Sequence, residues 1–544
     1  MSLSHVQGVP APASETGAVD ETDPTSAPAI GERLPGDAHD RYDSSLEKLL
    51  ERGAAPSQAA GFLDSFLAAR EVGTALQIWL GSPFELSSKL SGESSREAVL
   101  SRLNRDISAI DEILNRQLNA VLHNPRFQRL EAAWRGLLTI VEAADQEEEA
   151  RIVLRVLPCT WQEAGRDFER APEFDQSRLF QKVYEQEFGT PGGKPLGLLI
   201  GDYEIGLGQS QACPISDLDC LRSLSQVAAA AFCPFVAAAS PSLLELDHFA
   251  ELEKSANLER TFDQPKYIRW RSCRGEPDSR FVGLVLPHIL MRAPYLDDGS
   301  RVDGFRFAED VSGPDQSKYL WGNAAYAFAV TAIRAFAQTG WLADVCGVRR
   351  GEEGGGLITR FASDSFRTDR RGIAPKSLTD VVVTDVQEKE LAELGFIPVC
   401  QCHDSELAAF YSCRSLQKPA TFDRPEATVN AQLSAMLNYI MCASQFSRYL
   451  KVMIRDKVGS SIEAGDLESY LNNWLHQYVT SDDDASLDVM SRYPLREANV
   501  EVRANPSRPG SYLATIHLRP HFQFDQLNAS LKFDKVELAP ARGS

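Results

Sequence analysis

The sequence predicts an α/β protein (α+β mixed) with N-terminal helices and a strand-rich C-terminal region. Apolar residues recur every three or four positions from Ser95 to Leu122, which is the period of an amphipathic helix. Short apolar runs then alternate with helical sequence, a pattern typical of α/β folds. From Val500 onward apolar and polar residues alternate, as they do in half-buried strands.

Composition limits the classes of function. The 544 residues are 43% hydrophobic and include 56 basic and 76 acidic side chains, for a formal net charge of -20. We expect no nucleic-acid partner, because a phosphate backbone favours clustered Lys and Arg. Residues 223–244 are uncharged but contain prolines and serines, so no direct membrane insertion is expected.

Two further features favour a cytoplasmic location. The first residues lack a basic start followed by an apolar core, so no secretory signal is expected. The ten cysteines follow no repeating spacing, which favours reduced thiols over a disulfide scaffold.

The N-terminal part of the chain divides into two expected segments. Residues 1–40 are rich in Pro, Ala and acid and have almost no large apolar side chains, so we expect a disordered tail. Residues 41–94 are expected to form a helical segment with two short amphipathic helices, the first around Leu46. The second has two apolar pairs on one face: Phe62, Leu63, Phe66 and Leu67. Helices this short are not stable alone, so each must dock on a body of protein.

An α/β domain is expected over residues 95–410. The helix 95–122 ends before Asn124 and Pro125, a cap residue followed by a residue suited to the first helical turn. Residues 151–157 and 381–384 are strand candidates further along. The helix that starts at Pro125 is expected to bury Phe127, Leu130, Trp134, Leu137 and Val141.

A C-terminal domain is expected over residues 411–544. Two helices, 430–454 and 467–479, should precede a hairpin and a third strand. Exposed strand edges pair readily with other chains, so we expect these strands to join sheets with neighbouring subunits. The apolar residues expected in these inter-subunit strands are Val500, Val502, Tyr512, Ile516, Leu518, Leu527, Leu531 and Phe533.

No reactive-site pattern in the sequence is complete, and we expect no catalytic residue, no metal and no cofactor. The run 189–195 has proline where a phosphate-binding loop needs Ser or Thr. The run 400–403 offers three zinc ligands but no second pair at finger spacing. Residues 482–484 lack the alternating ligands of a calcium loop. The arginine-flanked glycine loop at 351–356 keeps an anion-using α/β enzyme open as an alternative.

Motifs in a fixed order along the chain resemble one family. They are VLHNPRFQRLEAAWRGL (121–137), PKYIRWR (265–271), SRFVGL (279–284), RAPY (292–295), YLWGNAAYAFA (319–329), LGFIP (394–398), SLQKP (415–419), YLK (449–451), LNNW (471–474), PLR (494–496) and LRPHF (518–522). With these motifs the chain resembles the large subunit of the type VI secretion contractile sheath, the TssC (VipB, ImpC, EvpB) family. The motif residues expected in the core are Phe127, Leu130, Trp134, Trp321 and Trp474.

The resemblance implies a contractile phage-tail-sheath-like fold and a structural role. Members of the family pair with a small subunit, TssB, and polymerise with copies of themselves around an Hcp tube. Contraction then propels the tube into target cells. The resemblance also implies a baseplate and the cytoplasm of a Gram-negative bacterium.

The family further implies that an N-terminal helix is bound by the AAA+ ATPase ClpV, which recycles contracted sheaths. Phe62, Leu63, Phe66 and Leu67 are the preferred residues for this helix, and the helix around Leu46 is the runner-up. A purely packing role for the helix stays open.

The sequence departs from the family pattern at His288, where the family usually has arginine. A paralogous or accessory sheath-like scaffold therefore stays open beside the principal large subunit.

Overall fold

A computed structural model describes most of the chain in two compact units, Met1–Ala109 and Ile110–Ser544. The described residues are 64–80, 92–190, 192–208, 216–254, 258–299, 305–313, 315–348, 353–364, 377–402, 405–457, 464–482, 486–504, 512–521 and 531–538. The expected tail, the helix around Leu46, and Phe62, Leu63 and Leu527 lie outside them. No helix among the described residues is long and apolar enough to cross a membrane. The four-part division of the chain stays a prediction.

In the first unit most of the described residues are helical. A turn of helix at 64–68 precedes α1 (Val72–Leu80) and the start of α2 (Gly92–Leu122). The Phe66 and Trp79 rings lie 5.1 Å apart, and the Trp79 indole donates to Asp106 at 3.2 Å. Phe66 is therefore held inside this unit, whereas Leu67 is 71% exposed.

Helix α3 (Pro125–Gln146) begins as predicted. The Asn124 side chain accepts hydrogen bonds from the amides of Arg126 and Phe127, which caps the helix, and Pro125 occupies its first turn.

The predicted buried face of α3 is wrong. Leu130 and Trp134 are 55% and 65% exposed, Phe127 and Val141 are also exposed, and Leu137 is only half-buried. The buried residues are instead Ala132, Gly136, Ile140 and Ala143. These mostly small residues let α3 lie close to another helix, α9 (Ala325–Thr339).

The second unit is built around a six-stranded mixed sheet of order β1-β2-β3-β7-β8-β6. The first four strands are parallel, and β8 is antiparallel to both β7 and β6. The strands are β1 (Leu199–Ile205), β2 (Phe235–Ala239), β3 (Val282–Leu286), β6 (Leu357–Ile358), β7 (Ile397–Gln401) and β8 (Ala408–Phe410). A small ribbon pairs β4 (Ile289–Leu290) with β5 (Trp321–Gly322).

Both faces of the central strands β2 and β3 are buried, so these two strands read as continuous apolar runs. In β2 the side chains alternate between two core clusters, with Val236 in the cluster that contains Phe328 of α9 and Phe235 in the other. The remaining helices of this part are α4 (Trp161–Arg170), α5 (Arg178–Phe180, a π-turn Gln181–Glu185, and Gln186–Phe188), α6 (Asp217–Ala230), α7 (Leu258–Asp263), α8 (Ile268–Gly275) and α10 (Asp385–Glu393).

Two strand predictions are wrong in this part of the chain. Residues 381–384 form the loop before α10, where Thr384 caps the helix. Residues 151–157 have no regular secondary structure and pair with no strand among the described residues.

The C-terminal part contains α11 (Pro425–Ser434), α12 (Leu437–Lys457), α13 (Ala464–Leu475) and α14 (Leu487–Arg492). The helix predicted over 430–454 is really two helices. The chain bends at Ala435, whose carbonyl oxygen accepts from both the amide and the hydroxyl of Ser415. The next predicted helix ends at Leu475, before a 3-10 turn.

The three predicted C-terminal strands form an antiparallel sheet of order β11-β10-β9. They are β9 (Leu495–Ala504), β10 (Tyr512–Pro520) and β11 (Leu531–Leu538), so the third strand lies further along the chain than predicted. Ile516 of β10 is opposite Val500 of β9 and Phe533 of β11.

Gly136 offers a direct test of the contact between α3 and α9. A Cβ atom at this position would overlap the ring of Tyr326. We expect Gly136→Ala to lower the free energy of unfolding by about 1–3 kcal/mol, because overpacking outweighs the gain in helix propensity. Urea unfolding measures the change.

Gly465 in α13 is the matched control, because a Cβ there meets open space. Gly465→Ala should be as stable as the wild type or slightly more stable. Equal stability of the two variants would refute the close helix contact.

Candidate assembly surfaces and ionic clusters

The glycine run at 189–195 does not form a phosphate cradle. The Lys194 amide donates to the Glu187 carboxylate at 2.9 Å, and Arg155 forms an ion pair with the same carboxylate. The loop therefore folds around an acid, which repels phosphate.

The other sequence candidates for chemistry do not assemble into a site in the described part of the chain. Cys400 and Cys402 are buried, and burial raises the pKa of both thiols. His403 lies outside the described residues, and these contain no group of three or more His, Cys, Asp or Glu side chains placed to hold a metal ion.

The arginines that flank the glycine loop of the enzyme alternative lie mostly outside the described residues. Of these arginines only Arg360 is described, and its backbone is left-handed at φ 74°. Asp482 is described and exposed, and the two aspartates after it are not described.

The strongest ionic cluster joins α3 to the loop after β4. Arg292, in the RAPY motif, donates to Glu131 at 2.8 Å and to both oxygens of Glu309 at 2.5 and 3.1 Å. Its guanidinium also lies 4.3 Å from the Tyr295 ring centroid. Burial alone would raise the pKa of Glu131, but hydrogen bonds from Arg292 and Arg135 lower it below its usual value. This cluster gives the motif a structural role.

A second cluster is centred on His288. Its Nδ1 lies 2.9 Å from Asp380 and its Nε2 lies 3.3 Å from Glu204 at the edge strand β1. Burial alone would lower the pKa of His288, but hydrogen bonds and charges from Asp380 and Glu204 raise it to about 10. The imidazole is therefore protonated at neutral pH. It places a positive charge between two carboxylates.

Of the three tryptophans expected in the core, Trp134 is exposed, whereas Trp321 and Trp474 are partly buried. The Trp321 indole donates to the Gln316 carbonyl at 2.9 Å, and its ring packs on a small cluster with Leu290. Trp474 contacts the rings of Phe446 and Tyr478.

One edge of the C-terminal sheet is closed within the chain. The Asn472 side chain of α13 donates to the Val500 carbonyl and accepts from the Val500 amide, both at 2.8 Å. Glu468 accepts from the Val502 amide at 2.8 Å. The expectation that Val500 and Val502 offer a free strand edge is therefore wrong, whereas β11 is the opposite outer strand. Asn472 lies in the LNNW motif, but the sequence pattern of this motif does not predict the contact with Val500.

Among the described residues of the second unit, one face of α3 and the segment 151–157 carry exposed apolar side chains. The apolar stripe of α3 consists of Phe127, Leu130, Trp134, Leu138 and Val141, all of them exposed. The irregular segment 151–157 exposes Val153 and Val156, and no hydrogen bond to its backbone is present among the described residues.

These features define a structural subunit that works by assembly. The ionic clusters tie elements of one chain together, and the unusual surface features are apolar faces and strand edges. Exposed apolar patches and strand edges are the surfaces that partner chains cover.

Comparisons with known proteins identify the family. Two family models match. The model described as EvpB/VC_A0108, tail sheath N-terminal domain, matches residues 104–417. The model described as EvpB/VC_A0108, tail sheath gpW/gp25-like domain, matches residues 426–536. The chain is 38% identical over 441 residues to the type VI secretion system sheath protein TssC1 of Pseudomonas aeruginosa, covering 80% of this chain and 86% of that protein. The chain therefore belongs to the TssC (VipB, EvpB) family of type VI secretion contractile-sheath subunits, as predicted. This is a family of structural sheath proteins.

Two solved structures give weak matches. The baseplate of the anti-feeding prophage matches with a TM-score of 0.32 and 11% identity, covering 58% of this chain and 65% of that chain. The contracted helical sheath of the same particle matches at 0.28 and 12%, covering 57% and 64%. At these TM-scores neither likeness carries an argument.

The His288 cluster predicts a specific pH dependence. A folded-state pKa of about 10, above the unfolded value of 6.5, means that the folded chain binds this proton more tightly. The stabilising contribution should be complete below pH 6.5 and should be lost as the pH rises through about 10. Denaturant unfolding between pH 6 and 10.5 measures it.

Two variants isolate this contribution. His288→Gln should be less stable than the wild type by about 3 kcal/mol at pH 6.5, because it leaves buried Asp380 without its cation. His288→Arg should keep the charge and lose this part of the pH dependence. If wild type and His288→Arg show the same alkaline slope, the assigned titration is wrong.

Proposed function

We propose that this chain is the large sheath subunit that pairs with a TssB-like small subunit in the cytoplasm and polymerises with its own copies, from a baseplate, around an Hcp tube. Contraction of that polymer would propel the tube into a target cell. The observation that carries the pairing is the apolar stripe of α3.

The stripe has the chemistry of a binding face for a partner helix. Its residues are three or four positions apart, so they form one continuous face. Large apolar residues on one face of a helix are the usual anchors of helix-in-groove recognition, and a central tryptophan is a typical hot spot. The stripe lies largely within the first motif by which the chain resembles its family. These points support the small subunit as the occupant.

The segment 151–157 supports a partner strand in addition to a helix. It combines exposed β-branched residues with backbone groups that no described residue satisfies. Such segments aggregate unless another chain covers them.

Links between large subunits are best supported at β11. A strand added to this edge would make several main-chain hydrogen bonds, each contributing about 0.5–1.5 kcal/mol net. Links of this kind would keep neighbouring subunits joined while rings rotate during contraction.

We keep the proposed role of the ATPase-recognition helix, but Leu67 replaces Phe66 as its main proposed contact. Phe66 packs on Trp79, so Leu67 is the described residue of this helix that is free to enter a groove of ClpV. Phe62 and Leu63 remain proposed contacts.

Trp134→Glu tests the pairing. The variant should fold normally because Trp134 is 65% exposed, but it should lose the heterodimer, since a carboxylate replaces the centre of the apolar stripe. Coexpression with the cognate small subunit, affinity capture and electron microscopy of tubules measure the result.

Gln146→Glu is the matched control, since it adds the same charge to an exposed position of α3. Gln146 points about 120° away from Trp134 around the helix axis, so it lies outside the apolar stripe. The control should pair and form tubules. Normal pairing of Trp134→Glu would contradict this binding face, and a wild-type pair that never forms tubules would favour an accessory scaffold.

Leu67→Asp tests the recognition helix. We expect binding of the ClpV-type ATPase to weaken more than about tenfold, because burying a leucine side chain is worth about 1.5–3 kcal/mol. Fluorescence anisotropy with the purified ATPase measures the affinity. Arg70→Ser, an exposed neighbour, should bind normally, and unchanged binding by Leu67→Asp would leave the helix with a packing role.

A further inference from the structure

We propose that Asn472 and Glu468 are specificity residues that close the β9 edge, so that a strand from a neighbouring subunit joins the C-terminal sheet only at β11. This inference rests on the proposed strand sharing and adds a direction to it. It assigns a role to two polar residues of α13 that pack beside an otherwise apolar interface.

The hydrogen bonds of Asn472 replace those of a strand. A carboxamide presents one acceptor and two donors, so a single side chain satisfies both the amide and the carbonyl of Val500, as a residue in a paired strand does. Glu468 satisfies the Val502 amide in the same row. Three of the backbone groups that an incoming strand would use on β9 are therefore occupied.

The spacing of the two residues matches the sheet. Positions four apart on an α-helix are separated by about 6 Å along the axis, and positions two apart on a strand by about 6.7 Å. Glu468 and Asn472 are four apart and meet Val502 and Val500, which are two apart and point to the same side of β9. One helix face can therefore follow one strand edge.

The apolar side of α13 fixes this arrangement. Leu467, Leu471 and Leu475 are buried in the same core cluster as Val500 and Ile516. The helix cannot leave the sheet without exposing this core, so the β9 edge stays closed in the folded chain.

A one-sided sheet gives assembly a direction. If both outer strands were open, two copies could pair β9 with β9 around a two-fold axis, which ends growth as a closed dimer. With β9 closed, only the β11 edge accepts a strand. The contact is head-to-tail, as a growing polymer requires, when a segment other than β11 of the neighbouring subunit supplies that strand.

The test uses the full-length chain without its partner, so it does not depend on tubule formation. Asn472→Leu keeps the number and branching of the side-chain heavy atoms and removes the hydrogen bonds. We expect light scattering to show a concentration-dependent dimer. Hydrogen exchange at the Val500 amide should be about tenfold or more faster than in the wild type at low concentration, and slow again once the dimer forms.

Asn473→Leu is the matched control, because Asn473 is the exposed neighbour in the same motif. It should exchange and sediment like the wild type. An Asn472→Leu chain that stays at the wild-type size, with fast Val500 exchange at every concentration, would overturn the proposal, as would dimerisation of the control.

A second variant covers a failure of Asn472→Leu to fold. Glu468→Gln keeps an acceptor for the Val502 amide and should behave like the wild type, whereas Glu468→Leu frees that amide and should give the same dimer more weakly. Equal behaviour of this pair would also overturn the proposal. A wild-type chain that never forms tubules with its partner would count against the proposed function and leave this result standing.

Discussion

The burial of α12 is the constraint on which the second unit depends. Leu437 and Met441 lie in one core cluster of the six-stranded sheet and Ile440 in the other, while Phe446 and Leu450 lie in the core of the C-terminal sheet. One helix therefore belongs to every large core of the unit. The edge of β11 and the apolar stripe of α3 are positioned by the same buried element.

Polar contacts fix the position of α12 at a cost in desolvation. Arg448 is buried and donates to the carbonyls of Gly197 and Phe232, and no carboxylate of a described residue pairs with it. Burial lowers the pKa of its guanidinium. Lys451 donates to the Tyr184 hydroxyl at 2.8 Å, and Arg455 donates to the Glu187 carbonyl at 3.1 Å. The three cations lie three and four residues apart and hold one side of α12 to the region before β1. Directional bonds of this kind select one position for a helix that apolar packing alone would let slide.

The sequence predicts local features well and the choice of buried surface poorly. Asn124 and Pro125 mark a helix boundary because capping is a local interaction, and the three C-terminal strands follow from alternation. The buried face of α3 is a different problem, since the helix is apolar on two sides and the side with Gly136 fits Tyr326. The closed edge at Val500 was equally unpredictable, because it depends on how α13 lies beside β9. His288 is a cation only because Asp380 and Glu204, distant in sequence, are its neighbours.

Charge and short-range contacts have different roles in assembly. A chain with a net charge of -20 repels its copies at a distance, and physiological salt screens that repulsion beyond about 8 Å. The apolar stripe of α3 and a β11 edge act only within that distance, at a defined orientation. Random encounters between subunits are therefore unproductive, because repulsion is offset only where a matching face or strand is present. An open β9 edge would offer a second strand the same main-chain hydrogen bonds, and subunits could then pair in a wrong arrangement. For selective assembly, closing the β9 edge therefore matters as much as opening the β11 edge.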